Sequence, residues 1–127
     1  MSELVYRSMT LPDIEQVYEI ECSCFSQPWS VESLIGEVIR NDAASYVVAE
    51  DNGKIVGYAG MWQMFDEAHM TNIAVAAEYR CRGIATNLIL CLMQTAKANG
   101  GKRMTLEVRE FNHKAQRVYS ALGFRYA

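Results

Sequence analysis

Short apolar runs and helical stripes follow one another along the chain with little between them. Leu4 to Arg7 has the apolar character of a first strand. Thr10-Leu-Pro-Asp13 then sets a capping hydroxyl, an early proline and an acidic first turn ahead of a helix carried by Ile14, Val17, Tyr18 and Glu21 to Cys24. Ser30 can cap a second helix, in which Val31, Leu34, Ile35, Val38 and Ile39 recur at helical spacing until Asn41-Asp42 ends it. Ser45 to Glu50 and Ile55 to Trp62 are rich in Val, Ile and aromatic residues. The Asn-Gly inside Asp51-Asn52-Gly53-Lys54 predicts an antiparallel hairpin between them.

Another run, His69 to Val75, follows an acidic turn at Asp66-Glu67. Ile84, Leu88, Ile89, Leu92, Met93 and Ala96 mark one face of a third helix, which Gly100-Gly101 ends. Met104 to Val108 reads as a strand, Asn112 can cap a fourth helix through Tyr119 to Leu122, and Gly123 can close it before a strand at Phe124-Arg-Tyr126. The order predicts an α/β fold with a sheet of mixed direction, without internal repeat or linker.

Length and composition narrow the class. The 127 residues suit one domain, 1–127, and a chain that is 50% hydrophobic and 21% charged has an ordinary globular balance. A net charge of -3 disfavours direct binding to nucleic acid or anionic lipid and suits a cationic substrate better. Cys22, Cys24, Cys81 and Cys91 show neither a C-x-x-C pair nor zinc-ligand spacing, so reduced thiols and no metal are expected. The N-terminus lacks a signal-peptide pattern and no apolar stretch approaches the ~20 residues of a membrane span, which predicts a cytoplasmic protein without membrane partners.

Candidate chemistry concentrates where a strand gives way, through Arg80-Cys81-Arg82-Gly83-Ile84-Ala85-Thr86, to helical periodicity. A helix N-terminus exposes unpaired N–H groups at a positive dipole end, so a small-residue turn there can wrap a pyrophosphate. Gly83 and Ala85 let backbone come close, and Arg80 and Arg82 bring charge, although arginines at such a place are often only solvated. The standard nucleotide fingerprints, G-x-x-x-x-G-K-S/T and G-x-G-x-x-G, are absent from the sequence, which disfavours a nucleotide triphosphatase or dinucleotide enzyme.

Arg80, Gly83 and Ala85 form an R-x-x-G-x-A pattern that resembles the acetyl-CoA pyrophosphate loop of the GNAT N-acetyltransferases. The element order agrees. Phe25-Ser-Gln-Pro-Trp-Ser30, Asp66-Glu-Ala68, Asn72-Ile-Ala-Val75, Leu106-Glu-Val-Arg109, Asn112 and Tyr119-Ser-Ala-Leu-Gly-Phe124 are similar to the RimI branch, which acetylates the N-terminal alanine of a bacterial ribosomal protein. The resemblance implies that backbone of Ile73, Ala74 and Val75 lines the acetyl-pantetheine arm. It implies that Cys81, Arg82, Gly83, Ile84, Ala85 and Thr86 cradle the pyrophosphate and that Asn112 also contacts the cofactor. It makes Glu107 the general base and Tyr119 the general acid.

The reaction asks for such groups. An amine attacks a thioester only when unprotonated, and an α-ammonium of pKa about 8 loses its proton more readily than a lysine at about 10.4. A carboxylate can take that proton, and a tyrosine O–H can ease departure of the thiolate. A backbone N–H near Val75 can hold the developing oxyanion. Plainer roles exist for each: a solvent-facing strand glutamate, a packed tyrosine, a capping asparagine. His69 and His113 read as surface or core histidines, and Trp29 as core or as part of a peptide entrance.

The expected partner is therefore a protein N-terminus, that of a ribosomal protein. Lysine or polyamine acetylation and a catalytically silent CoA-binding module are the alternatives. GNAT domains continue through a hairpin to a final strand, whereas this sequence stops at Ala127. The fold is thus expected to lack that strand, either through truncation or with the strand taken from another chain in a homo-oligomer.

Overall fold

The computed structural model describes residues 4–105. β1 (Leu4–Ser8) leads through a 3-10 turn at Leu11–Asp13 into α1 (Ile14–Cys24), followed by α2 (Val31–Ile39). β2 (Ala44–Asp51), β3 (Lys54–Met64) and β4 (Glu67–Val75) come next, then a 3-10 turn at Ala77–Tyr79, α3 (Ile84–Ala98) and β5 (Arg103–Thr105). The strands form one sheet in the order β1-β2-β3-β4-β5, antiparallel except for β4 with β5. The mixed, mostly antiparallel sheet predicted by the element order is present.

Period-two alternation sends side chains to two faces. Tyr46, Val48, Ile55, Tyr58 and Ala74 meet α1 and α2, which contribute Ile14, Val17, Ile20 and Leu34. On the opposite face Val47, Ala49, Val56 and Met61 meet the stripe Ile84, Leu88, Ile89, Leu92 and Ala96 of α3. Leu88 and Leu92 are fully buried, each stabilising the fold by about 1.5–3 kcal/mol. The two cores hold the sheet between helical layers and leave the C-terminal end of β4 at their common border.

Local signals acted as the sequence predicts. Ser30 Oγ accepts from the Ser33 N–H at 3.1 Å, which caps α2. Asn52 and Gly53 both have positive φ, 50° and 86°, as the type I′ hairpin between β2 and β3 requires. The strands run one or two residues beyond their expected bounds: β2 spans Ala44–Asp51, β3 spans Lys54–Met64, and β4 starts at Glu67 rather than His69, because Met64 pairs with Glu67 and closes the turn over Phe65 and Asp66. The turn at Ala77–Tyr79 carries no sequence periodicity and was not among the expected elements. The expected strand from Met104 is described through Thr105, and the expected fourth helix and last strand lie outside the described residues.

At the β1 edge, Arg7 donates to both carboxylate oxygens of Asp13, at 2.7 and 2.9 Å, and to Glu50 at 2.9 Å. Asp13 also accepts from Thr10, so β1, the turn before α1 and β2 are fastened together.

Candidate active site

Beyond Val75 the chain turns sharply. The Ala76 N–H donates back to Val56 O at 2.8 Å, Cys81 takes φ 64°, and Gly83, the residue before α3, takes φ 80°. Left-handed residues within a turn are what direct successive N–H groups into an anion-binding concavity. The first helical bond of α3 runs from the Asn87 N–H to Gly83 O at 3.1 Å. The N–H groups of Ile84, Ala85 and Thr86 are thereby left without an intrahelical acceptor, at the positive end of a 15-residue helix. A methyl group at Gly83 would meet nothing within 4 Å, so the space above the turn is open. Donors, dipole and open space together fit a pyrophosphate.

The two arginines hold other posts. Arg80 Nε donates to Val75 O at 3.2 Å, and another of its nitrogens lies 3.3 Å from Cys24 Sγ. Its guanidinium thus clasps the end of β4. Arg82 lies 5.0 Å from the centroid of the Tyr79 ring, with Lys54 at 5.8 Å. The Tyr79 hydroxyl donates to Asp51 at 2.7 Å, and that bond holds its pKa above the ordinary value.

β4 is irregular just upstream. Gly60 pairs with Asn72 and Met61 with Met70, so Thr71 is an extra residue, a β-bulge. Thr71 and Asn72 therefore both reach the face covered by α1 and α2. There they join a hydrogen-bonded chain between two buried carboxylates. Glu21, 1% exposed, accepts from the Tyr58 hydroxyl, from Asn72 Nδ2 at 3.2 Å and from the Trp29 N–H at 2.8 Å. Thr71 Oγ1 donates to Asn72 Oδ1 at 2.9 Å and lies 3.2 Å from the Tyr46 hydroxyl. Glu37, 9% exposed, accepts from Tyr46 at 3.1 Å, Trp62 Nε1 at 2.7 Å and Asn41 at 2.7 Å. Burial, and then the Glu21 carboxylate, push the Tyr58 hydroxyl far above its usual range, so it stays a donor. Burial raises Tyr46 likewise. Alongside, an open cleft of about 670 Å³ runs over α2, lined by Pro28, Trp29, Ser30, Ser33 and Glu37 among others.

The sequence profile of the acetyltransferase (GNAT) family matches residues 14–124. The chain belongs to this family. A Bacillus subtilis (strain 168) relative, provisionally named [ribosomal protein bS18]-alanine N-acetyltransferase, is 40% identical over 119 residues, 94% of this chain and 79% of its own. The crystal structure of the ribosomal-protein-S18-alanine N-acetyltransferase from Escherichia coli superposes with a TM-score of 0.90 at 28% identity, covering 98% of this chain and 79% of that one. The coenzyme A complex of a Thermoplasma acidophilum PaiA N-acetyltransferase has a TM-score of 0.90 over 98% of this chain and 91% of that one. At 18% identity it shows the fold alone.

The protein is accordingly an acetyl-CoA-dependent N-acetyltransferase. Among the residues singled out in the sequence, Ile73, Ala74 and Val75 lie on the last stretch of β4, and Cys81 to Thr86 form the turn and first helical residues beyond it. Glu107, Asn112, His113 and Tyr119 lie outside the described residues. Trp29 is half-buried against the α1–α2 core, the first of its expected roles, and it also lines the cleft over α2. His69 is exposed, with Nδ1 2.8 Å from Thr105 Oγ1. All four cysteines are free thiols. Among the described residues no group of His, Cys, Asp or Glu is placed to hold a metal ion, and no helix is long and apolar enough to cross a membrane.

Sequence reasoning missed Glu21, Glu37, Tyr58 and Asn72. A signal existed: Glu21 follows Ile14 and Val17 on the apolar stripe of α1, and Glu37 follows Leu34 on that of α2, where an apolar residue would bury without cost.

Proposed function

We propose that this acetyltransferase transfers the acetyl group of acetyl-CoA to the N-terminal α-amine of a protein, the N-terminal alanine of ribosomal protein bS18. The observation that carries the acceptor is the 40% identity, over 94% of this chain, with a relative named for that activity. Such work belongs in the cytoplasm, where ribosomal proteins are made.

On this reading the backbone of Ile73, Ala74 and Val75 lines the acetyl-pantetheine arm. Cys81, Arg82, Gly83, Ile84, Ala85 and Thr86 hold the pyrophosphate, chiefly through N–H groups, with Asn112 as a further contact. The open space above Gly83 and its left-handed φ support the loop assignment. The clasp of Arg80 on Val75 O supports a fixed end for the acyl arm. Glu107 takes the proton from the α-ammonium, directly or through a water. The free amine nitrogen then attacks the thioester carbonyl carbon, the C–S bond breaks, the departing thiolate takes the Tyr119 hydroxyl proton, and the surplus proton on the new amide nitrogen passes to the tyrosinate, restoring Tyr119. A backbone N–H near Val75 stabilises the developing oxyanion.

Acetylation of alanine-initiated bS18 peptides, followed by mass spectrometry, tests the reading. Peptides with a free α-amine should be modified and those with a blocked α-amine should not. Modification of an internal lysine in the blocked peptide instead would overturn the acceptor assignment. Glu107→Gln and Tyr119→Phe should each lower kcat by about 10²- to 10⁴-fold. Full turnover in both would remove the two residues from the chemistry.

A further inference from the structure

The hydrogen-bonded carboxylate Glu21 has no part in the chemistry just described, yet it occupies a commanding position. A carboxylate on the sheet-facing stripe of a helix is costly to bury unless its oxygens are fully engaged. Here they are engaged by donors from three separate elements: the Tyr58 hydroxyl from β3, Asn72 Nδ2 from the bulge of β4, and the Trp29 N–H from the connection between α1 and α2. Oε1 takes the two donors from the sheet and Oε2 takes the donor from the connection. One side chain therefore sets the distance between the bulge and that connection.

Both ends of this brace border the donor strand. Asn72 immediately precedes Ile73, and Cys24, the last residue of α1, has its thiol 3.7 Å from Val75 O. The connection thus departs beside the end of β4, and Trp29 lines the cleft over α2 on the same face as Asn72. A group reaching the Ile73–Val75 backbone from that face passes the connection.

We propose that Glu21 is a positioning residue that fixes the α1–α2 connection against the β4 bulge, so that the acceptor amine is aligned with the thioester. The proposal rests on the reading that Ile73 to Val75 line the acyl arm. Its two oxygens serve different partners: Oε2 places the acceptor-side connection, and Oε1 places the donor strand.

That division gives a kinetic signature. In Glu21→Gln the amide oxygen is retained by the two sheet donors, and the NH2 group then faces the Trp29 N–H, donor against donor. The connection is released while the bulge stays held. Asn72→Ala does the converse. Steady-state kinetics with acetyl-CoA and an alanine-initiated peptide, CoA titration by calorimetry and a thermal melt should be run on both variants. Asp13→Asn serves as a buried-carboxylate control at the β1 edge.

Glu21→Gln should raise the peptide KM about tenfold, the loss of one charge-assisted hydrogen bond, with CoA affinity within about twofold of wild type. Asn72→Ala should lower kcat about tenfold with the peptide KM within about twofold. Asp13→Asn should lower Tm and leave both constants alone. If Glu21→Gln changes only Tm, or if both variants lose kcat and KM in parallel with folded protein, the positioning role is wrong. Amide NMR shifts of Ile73 to Val75 on CoA addition to the wild type separate the two levels. Without a response there, the reading of the acyl arm fails whatever the variants do. With a response but no kinetic split, the role of Glu21 alone fails.

Discussion

Replacing Gly60 with alanine would put a methyl carbon 2.5 Å from Tyr46 Cζ and 2.6 Å from Cδ1, and closer still to Cε1. The tyrosine cannot stay where it is. Its ring lies across the β3 backbone because Gly60 has no side chain, and its hydroxyl is thereby delivered to Glu37 and Thr71. Overpacking of this kind costs about 1–3 kcal/mol, and displacement of the ring also forfeits two hydrogen bonds of about 1 kcal/mol each. A total of about 3–5 kcal/mol should lower Tm by about 10–20 °C in a chain of this length. A thermal melt followed by circular dichroism measures the shift. The decisive comparison is a double-mutant cycle with Tyr46→Ala. With the ring removed the new methyl has room, so Gly60→Ala in that background should cost less than about 1 kcal/mol. An equal cost in both backgrounds would refute the steric argument.

Gly83→Val should cost about 1–2 kcal/mol of stability because φ of 80° is strained for a side chain, and should weaken CoA binding tenfold or more by filling the open space above the turn. Unchanged affinity in a calorimetric titration would remove the loop from the pyrophosphate site. Asp13 carries a pH signature: the hydrogen bond from Arg7 lowers its pKa from 3.8 to about 2. A depressed folded-state pKa means that the stabilisation is complete above about pH 4 and disappears as pH falls towards 2. With Arg7 a third open to solvent, the amount is about 1–2 kcal/mol, and urea unfolding at pH 5 and pH 2.5 should show it missing from Asp13→Asn. Ser30→Ala removes the cap of α2 and should lower urea-derived stability by about 1 kcal/mol, with no loss in midpoint counting against the cap.

Much of this architecture is written in local patterns. The α3 stripe, the Asn52-Gly53 turn, the Ser30 cap and the small residue ahead of α3 each follow from a few neighbouring positions, and each stands where those positions predict. The turn before α3 was legible for the same reason, since its glycine and the helix behind it are contiguous. Of the Glu21–Glu37 chain only the stripe positions of the two glutamates were legible; their partners were not, because Tyr58 and Asn72 meet Glu21 across 37 and 51 residues of sequence. Arg80 shows the limit in another form. Its proximity to a phosphate loop suggested a counter-ion, whereas tertiary contacts give it the Val75 carbonyl.

Thr71 preserves the parity of β4. Val75 and Ile73 face α3, and so do Met70 and Ala68, with Ala74 and Asn72 facing the other way. Strike Thr71 from the chain and strict alternation runs from Ala68 to Val75 without reversing any of these. A strand one residue shorter would therefore bury the same side chains on the same faces. Such a deletion should leave a folded protein with a plain ladder, less stable by the hydrogen bonds of Thr71 to Tyr46 and Asn72.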